Sequence, residues 1–192
     1  AAQCATWHYC KFDALARALQ EDFCVLQRGD DFAGSAALID VRFPSGWRPE
    51  RLVGRSFEAI HAPVPGFADR AQSRSMVRAM VERGPFVRFV WTLTPDDRLD
   101  RHPDAVRGAS WARPAGVWLR VERQVTLPLS AADAGLFLIR IYHYPLNELG
   151  PEQRACLLTA LARMPEEVRR YKNLPAAETL AQLLRPLEQA HP

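Results

Sequence analysis

The histidine at position 61 stands in the stretch IHAPVPGF, residues 60–67, beside two prolines and a glycine. Proline lacks an amide proton and pushes the residue before it out of the helical region, so Ala62 and Val64 are expected to be extended and the backbone around His61 stiff. Two uses are open to such a histidine. One is structural, a turn residue hydrogen-bonded to a carbonyl. The other is ligation, because a neutral imidazole fixed in one orientation is the commonest protein ligand for transition metals and for heme iron. No second histidine and carboxylate stand at metal-site spacing nearby, so a ligating His61 favours heme over a mononuclear ion.

The run RVERQ, residues 120–124, is the second candidate, with Arg140 in the next apolar run. Alternating charge on a strand usually faces water and pairs across strands. Arg120, Glu122 and Arg140 nevertheless lie in the most apolar part of the chain, where unpaired charge is costly. A functional use would set arginine against an anion such as a heme propionate, and Glu122 against a cationic substrate. Trp91, Trp118, Tyr142 and Tyr144 suit a core, although aromatic faces also bind amine cations. His143, at a strand end before Pro145, and His102, in a charged loop, read as surface histidines.

Other chemistries find no signal. There is no GxGxxG, no P-loop, no nucleophile elbow and no Ser-His-Asp signature. Cys4, His8 and Cys10 fit no zinc template. With 25 basic and 22 acidic side chains spread along the chain, no basic tract points to nucleic acid. No apolar run approaches the ~20 residues that span a bilayer, so no membrane association is expected. The four cysteines show no CxxC pair and no signal peptide is read before them, so reduced thiols in a cytoplasmic protein are expected.

These residues need elements to position them. The length of 192 residues, with 48% hydrophobic and 24% charged residues, suits one globular domain over 1–192, with helices at about 150–190 packing on it. FDALARALQEDF has helical spacing, with Asp13 as its cap. CVLQRGDDFAGSAALIDVRF reads as two strands about a Gly-Asp turn. ADRAQSRSMVRAMVERG is a helix with Met76, Val77, Met80 and Val81 inward and Gly84 as its stop. PFVRFVWTL, GVWLRVERQVTLPL and AGLFLIRIYHYPL are the strongest strand runs. In the second, Val117, Leu119 and Val121 share one face and Trp118, Arg120, Glu122 and Gln124 the other; in the third, Phe137, Ile139 and Ile141 oppose Leu138, Arg140 and Tyr142. Beyond them lie helices, one pair divided by Pro165. The fold class is α+β: about five antiparallel strands, with helices inserted after the second.

Read in order, VRFPSGWRPERLVGRSFEAIHAPVPGF, VERGPFVRFVWTL, VWLRVERQVTLPL, FLIRIYHYPL and MPEEVRRYKNL resemble the heme-dependent oxidative N-demethylase family over about residues 38 to 175. The resemblance implies a PAS-like fold that holds heme b through a histidine. It implies oxidation of a small, dimethylamine-like amine with O2, releasing formaldehyde. The absence of a flavin or iron–sulfur motif assigns the electrons to a separate reductase. The site it implies has His61 as axial iron ligand, Arg123, Arg140 and Trp91 against the cofactor, and Glu122, Arg120 and Tyr142 toward the substrate. A homo-oligomer is compatible with it. A heme-binding sensor and a heme-free PAS-like interaction domain, dimerising through its terminal helices, are the alternatives.

Overall fold

The runs rich in Val, Ile, Leu and aromatic residues do form the sheet. The structure is a computed structural model that describes residues 13–67 and 69–188. In chain order the elements are α1 (residues 13–18), β1 (Asp22–Gln27), β2 (Ser35–Asp40), α2 (Phe57–His61), α3 (Arg70–Glu82) and β3 (Phe86–Thr94). Then follow β4 (Trp118–Leu129), β5 (Ala134–Pro145), α4 (Pro151–Ala162), α5 (Glu166–Tyr171) and α6 (Ala177–Glu188). The five strands make one antiparallel open sheet in the order β2-β1-β5-β4-β3, and with the helices the fold is α+β. The Cys4, His8 and Cys10 segment lies outside the described residues. Among those described, no cluster of His, Cys, Asp or Glu is placed to hold a metal ion, and no helix is long and apolar enough to cross a membrane.

The β1–β2 hairpin turns at Gly29, whose φ of 67° suits a residue without a Cβ, and Gly34 closes it with φ 62°. Asp13 does not act as a free cap; it binds Arg17 one turn on at 2.8 Å. Helix α3 begins where Asp69 accepts the amide of Ala71 at 2.8 Å, and it buries Val77 and Val81 as the spacing required.

Two hydrophobic clusters hold the sheet from opposite faces. Leu26, Phe57, Val77 and Val81, with Met76 and Met80, seat α2 and α3 over one face. Leu93, Leu146, Leu149, Leu157, Leu161, Leu180 and Leu184, with Trp91 and Leu119, seat the C-terminal helices on the other. The α3 seat needs small residues: a Cβ on Gly135 of β5 would come within 3.2 Å of the Met80 carbonyl oxygen. Burial of this kind contributes roughly 25 cal/mol per Å² of apolar surface.

One local expectation is overturned. Ala62 is helical, at φ −51° and ψ −33°, although Pro63 follows it. Helix α2 is nucleated at its start, where the Ser56 hydroxyl accepts the amide of Ala59, and its last turn is continued by Val64 N–H donating to the His61 carbonyl at 2.9 Å. Those bonds outweigh the steric bias of the proline, so His61 is the last residue of a helix rather than part of an extended loop.

Candidate functional site

His61 is oriented by its own helix. Its Nδ1 lies 2.8 Å from the Phe57 carbonyl one turn earlier, which fixes Nδ1–H as donor and leaves Nε2 with its lone pair. The ring is packed between Phe57 and Phe67, with centroids 4.1 and 4.8 Å away. Burial pushes the imidazole pKa below its ordinary value, and the positive field of Arg88 adds to this, so the ring is neutral near pH 7. Among the described residues Nε2 makes no hydrogen bond. Both open uses of the sequence therefore meet in one side chain: a carbonyl-bound turn histidine whose other nitrogen is free.

The face beneath α2 and α3 follows from register, because cross-strand partners share a face. Arg120 is opposite His143, Glu122 opposite Ile141, and Gln124 opposite both Ile139 and Arg88. Along this face a polar chain runs across three residues. Arg88 Nε donates to Gln124 Oε1 at 2.6 Å, and Gln124 Nε2 donates to Glu122 Oε2 at 3.0 Å. Arg120 Nε stands 3.8 Å from Glu122 Oε1. Tyr171 and Lys172, at the end of α5, lie at the β3 edge in the electrostatic field of the same carboxylate: Thr92 Oγ1 donates to the Lys172 carbonyl and Lys172 Nζ to the Trp91 carbonyl. Burial and the charge of Glu122 raise the Tyr171 hydroxyl pKa, and burial lowers that of Lys172.

Arg120 has another task. Its side chain is 0% exposed, and its terminal nitrogens donate to the carbonyls of Leu99 at 2.8 Å and Phe43 at 2.6 Å. It thus ties the loop after β2 to the loop after β3, while its buried Nε makes no hydrogen bond among the described residues and has only the 3.8 Å ion pair with Glu122. Next to it, His143 is not the surface histidine the sequence suggests. Its Nδ1 is 3.0 Å from the Asp97 carbonyl, its Nε2 is buried without a hydrogen bond, and burial with the nearby Arg120 charge lowers its pKa. His102, in the loop between β3 and β4, bonds Glu50 at 3.2 Å.

The structure does not bring all the expected residues together. Arg123 pairs with Phe89 and Arg140, and Tyr142 and Trp91 both pair with Val121, so Arg123, Arg140, Tyr142 and Trp91 share the opposite face from Arg120 and Glu122. There Arg140 lies over the Tyr142 ring at 5.7 Å and bonds Gln20, Tyr142 stacks with Tyr144, and Trp91 packs against the C-terminal leucines. A ligand held against His61 meets the Glu122 side of the sheet. Arg88, Tyr171 and Lys172 were missed. Arg88 was findable, since it sits at alternate spacing in PFVRFVWTL; nothing local marks Tyr171 or Lys172.

The residues on the His61 face suit a heme group: a neutral imidazole with one oriented free nitrogen, in a setting of aromatic rings and cations. A sequence profile of the family described as haem-dependent oxidative N-demethylase, alpha subunit-like, matches residues 4–181.

Proposed function

The chain belongs to the haem-dependent oxidative N-demethylase, alpha subunit-like family, and on that footing we propose that it is the heme-binding oxygenase component of an amine N-demethylase. The observation that carries this reading is His61 itself. Its Nε2 is the only ring nitrogen left free once Phe57 has taken Nδ1, and burial keeps it unprotonated. In this reading His61 holds the iron of heme b, and bound heme supplies the oxygen activation. The PAS-like assignment is supported by five antiparallel strands with α2 and α3 inserted between β2 and β3.

The chain's own residues then bind and orient the amine. Glu122, 19% exposed at its side chain, has Oε2 held by Gln124 and Oε1 paired with Arg120 Nε only at 3.8 Å, beyond hydrogen-bond reach, so Oε1 can accept an N–H from a small alkylammonium. Arg120 acts behind it as a positioning residue, anchoring both loops. Ile139 and Ile141 supply the apolar surface that keeps water from the methyl group. In the overall reaction an N-methyl group leaves as formaldehyde carrying one oxygen atom of O2. The other atom becomes water, with two electrons and two protons supplied through a separate reductase.

The test is turnover. Full-length protein loaded with hemin is given O2, dimethylamine and an artificial electron donor, and formaldehyde is measured. The reading expects formaldehyde equal to the amine consumed, and a KM for amine raised about tenfold or more in Glu122→Gln with heme content unchanged. Heme-loaded protein that makes no formaldehyde with any donor would overturn the enzyme reading in favour of a heme sensor.

A further inference from the structure

We propose that Arg88, held in place by Gln124, is the anchor for a carboxylate of the bound cofactor on the His61 face; the assignment rests on the heme reading above. Arg88, an exposed residue of β3, has no ion-pair partner among the described residues. Its Nε is engaged by the neutral amide oxygen of Gln124 at 2.6 Å, and its two terminal nitrogens make no hydrogen bond or ion pair among the described residues. Gln124 is inserted between Arg88 and Glu122, binding one through its oxygen and the other through its nitrogen, and so keeps the pair from neutralising each other directly. What remains is the end-on fork of a guanidinium, the geometry that takes a carboxylate through two parallel bonds.

The charges around Glu122 point the same way. It lies in the electrostatic field of Arg88 and Lys172 and 3.8 Å from the buried Nε of Arg120, which makes no hydrogen bond among the described residues. Tyr171, from α5, adds a neutral hydroxyl in the field of both Arg88 and Glu122. Arg120 has Asp22 and Asp100 as further neighbours, but Arg88 has none of these. A carboxylate so outnumbered is a poor seat for an ammonium ion. Anionic groups delivered to the cations would free Glu122 to meet the amine, and heme b carries two propionates. Arg88 also lies in electrostatic range of His61, whereas Arg123 and Arg140, the arginines the family resemblance set against the cofactor, face the other way.

The probe is the pair hemin and hemin dimethyl ester, which differ only in whether the carboxylates are free. Each is titrated into full-length wild type, Arg88→Gln and Arg88→Lys and followed by the Soret band. The expected result is that wild type prefers hemin to the ester by about tenfold or more, a ratio that Arg88→Gln loses by weakening hemin alone. Arg88→Lys should retain only part of the preference, because a point charge cannot replace the fork. Hemin binding unchanged in Arg88→Gln, or an equal loss for hemin and ester, would overturn the proposal while leaving the heme reading intact. Absence of a Soret band with either compound in wild type would overturn both.

Discussion

Arg120 offers the sharpest quantitative prediction, because its burial is complete and its partners are few. Replacing it with Met keeps much of the stem's volume and removes the guanidinium. Two charge-assisted bonds to the part-buried Leu99 and Phe43 carbonyls are lost, each contributing about 1.5–3 kcal/mol. Against this stands the recovered cost of keeping a guanidinium dehydrated, the same burial that pulls its pKa below the ordinary value. The net loss is about 3–4 kcal/mol, and with an urea slope of roughly 2–3 kcal/mol per M the midpoint should fall by about 1–2 M. Arg120→Lys should rescue little, since one ammonium cannot serve carbonyls on two loops. Limited trypsin digestion supplies the local readout: cleavage after Arg42, Arg98 and Arg101 should accelerate in Arg120→Met. A midpoint within about 0.3 M of wild type, with an unchanged digestion pattern, would refute the view that this residue ties the loops together.

Three further outcomes follow from single sites. Gly34→Ala should destabilise by about 2–4 kcal/mol in urea unfolding, since φ is +62° and the new Cβ would stand 2.8 Å from Val77 Cγ2; a loss below about 0.5 kcal/mol would contradict the close packing of α3. Burial pushes the Cys24 thiol up to about 12, so peptide-level alkylation near pH 8 should label the exposed Cys156 promptly and Cys24 only on unfolding. His61 and His143 both titrate below 6.5 when folded and near 6.5 when unfolded, so the unfolded chain binds more protons between those values. Their contribution is therefore complete above pH 6.5 and is lost as pH falls below it. The raised pKa of Asp22 acts in the opposite sense in every variant, so the informative comparison is His61→Gln. Its loss of urea stability between pH 7.5 and 5.5 should be smaller than that of wild type; an equal loss would show that His61 is not held neutral.

Much of the architecture is written locally in the chain. Val, Ile and aromatic enrichment marks β3, β4 and β5, and the alternation within β4 and β5 separates the two sets of side chains correctly. What alternation cannot give is the phase between strands: sliding one strand by a single residue exchanges its faces. Only the register Arg120 to His143 reveals that Glu122 shares a face with Ile141 rather than with Arg140. The same limit hid the link from Arg88 to Gln124, which spans 36 positions, and the return of Lys172 to Thr92, which spans 80. His61 was legible as an oriented imidazole, but for a partly mistaken reason. Its stiffness comes from the Phe57 carbonyl and the last turn of α2, not from an extended proline-flanked loop.

The central claim is that this fold presents His61 Nε2 to heme iron. It is tested most directly by titrating hemin into the purified full-length protein and its His61→Ala variant, recording the visible spectrum oxidised and dithionite-reduced. The account predicts a saturable Soret band in wild type, shifted by dimethylamine, with that ligand-field spectrum lost in His61→Ala. A variant spectrum identical to wild type at equal affinity would contradict it, and loss in His143→Ala instead would transfer the ligand to the other half-buried imidazole on the same face, whose Nε2 also makes no hydrogen bond among the described residues.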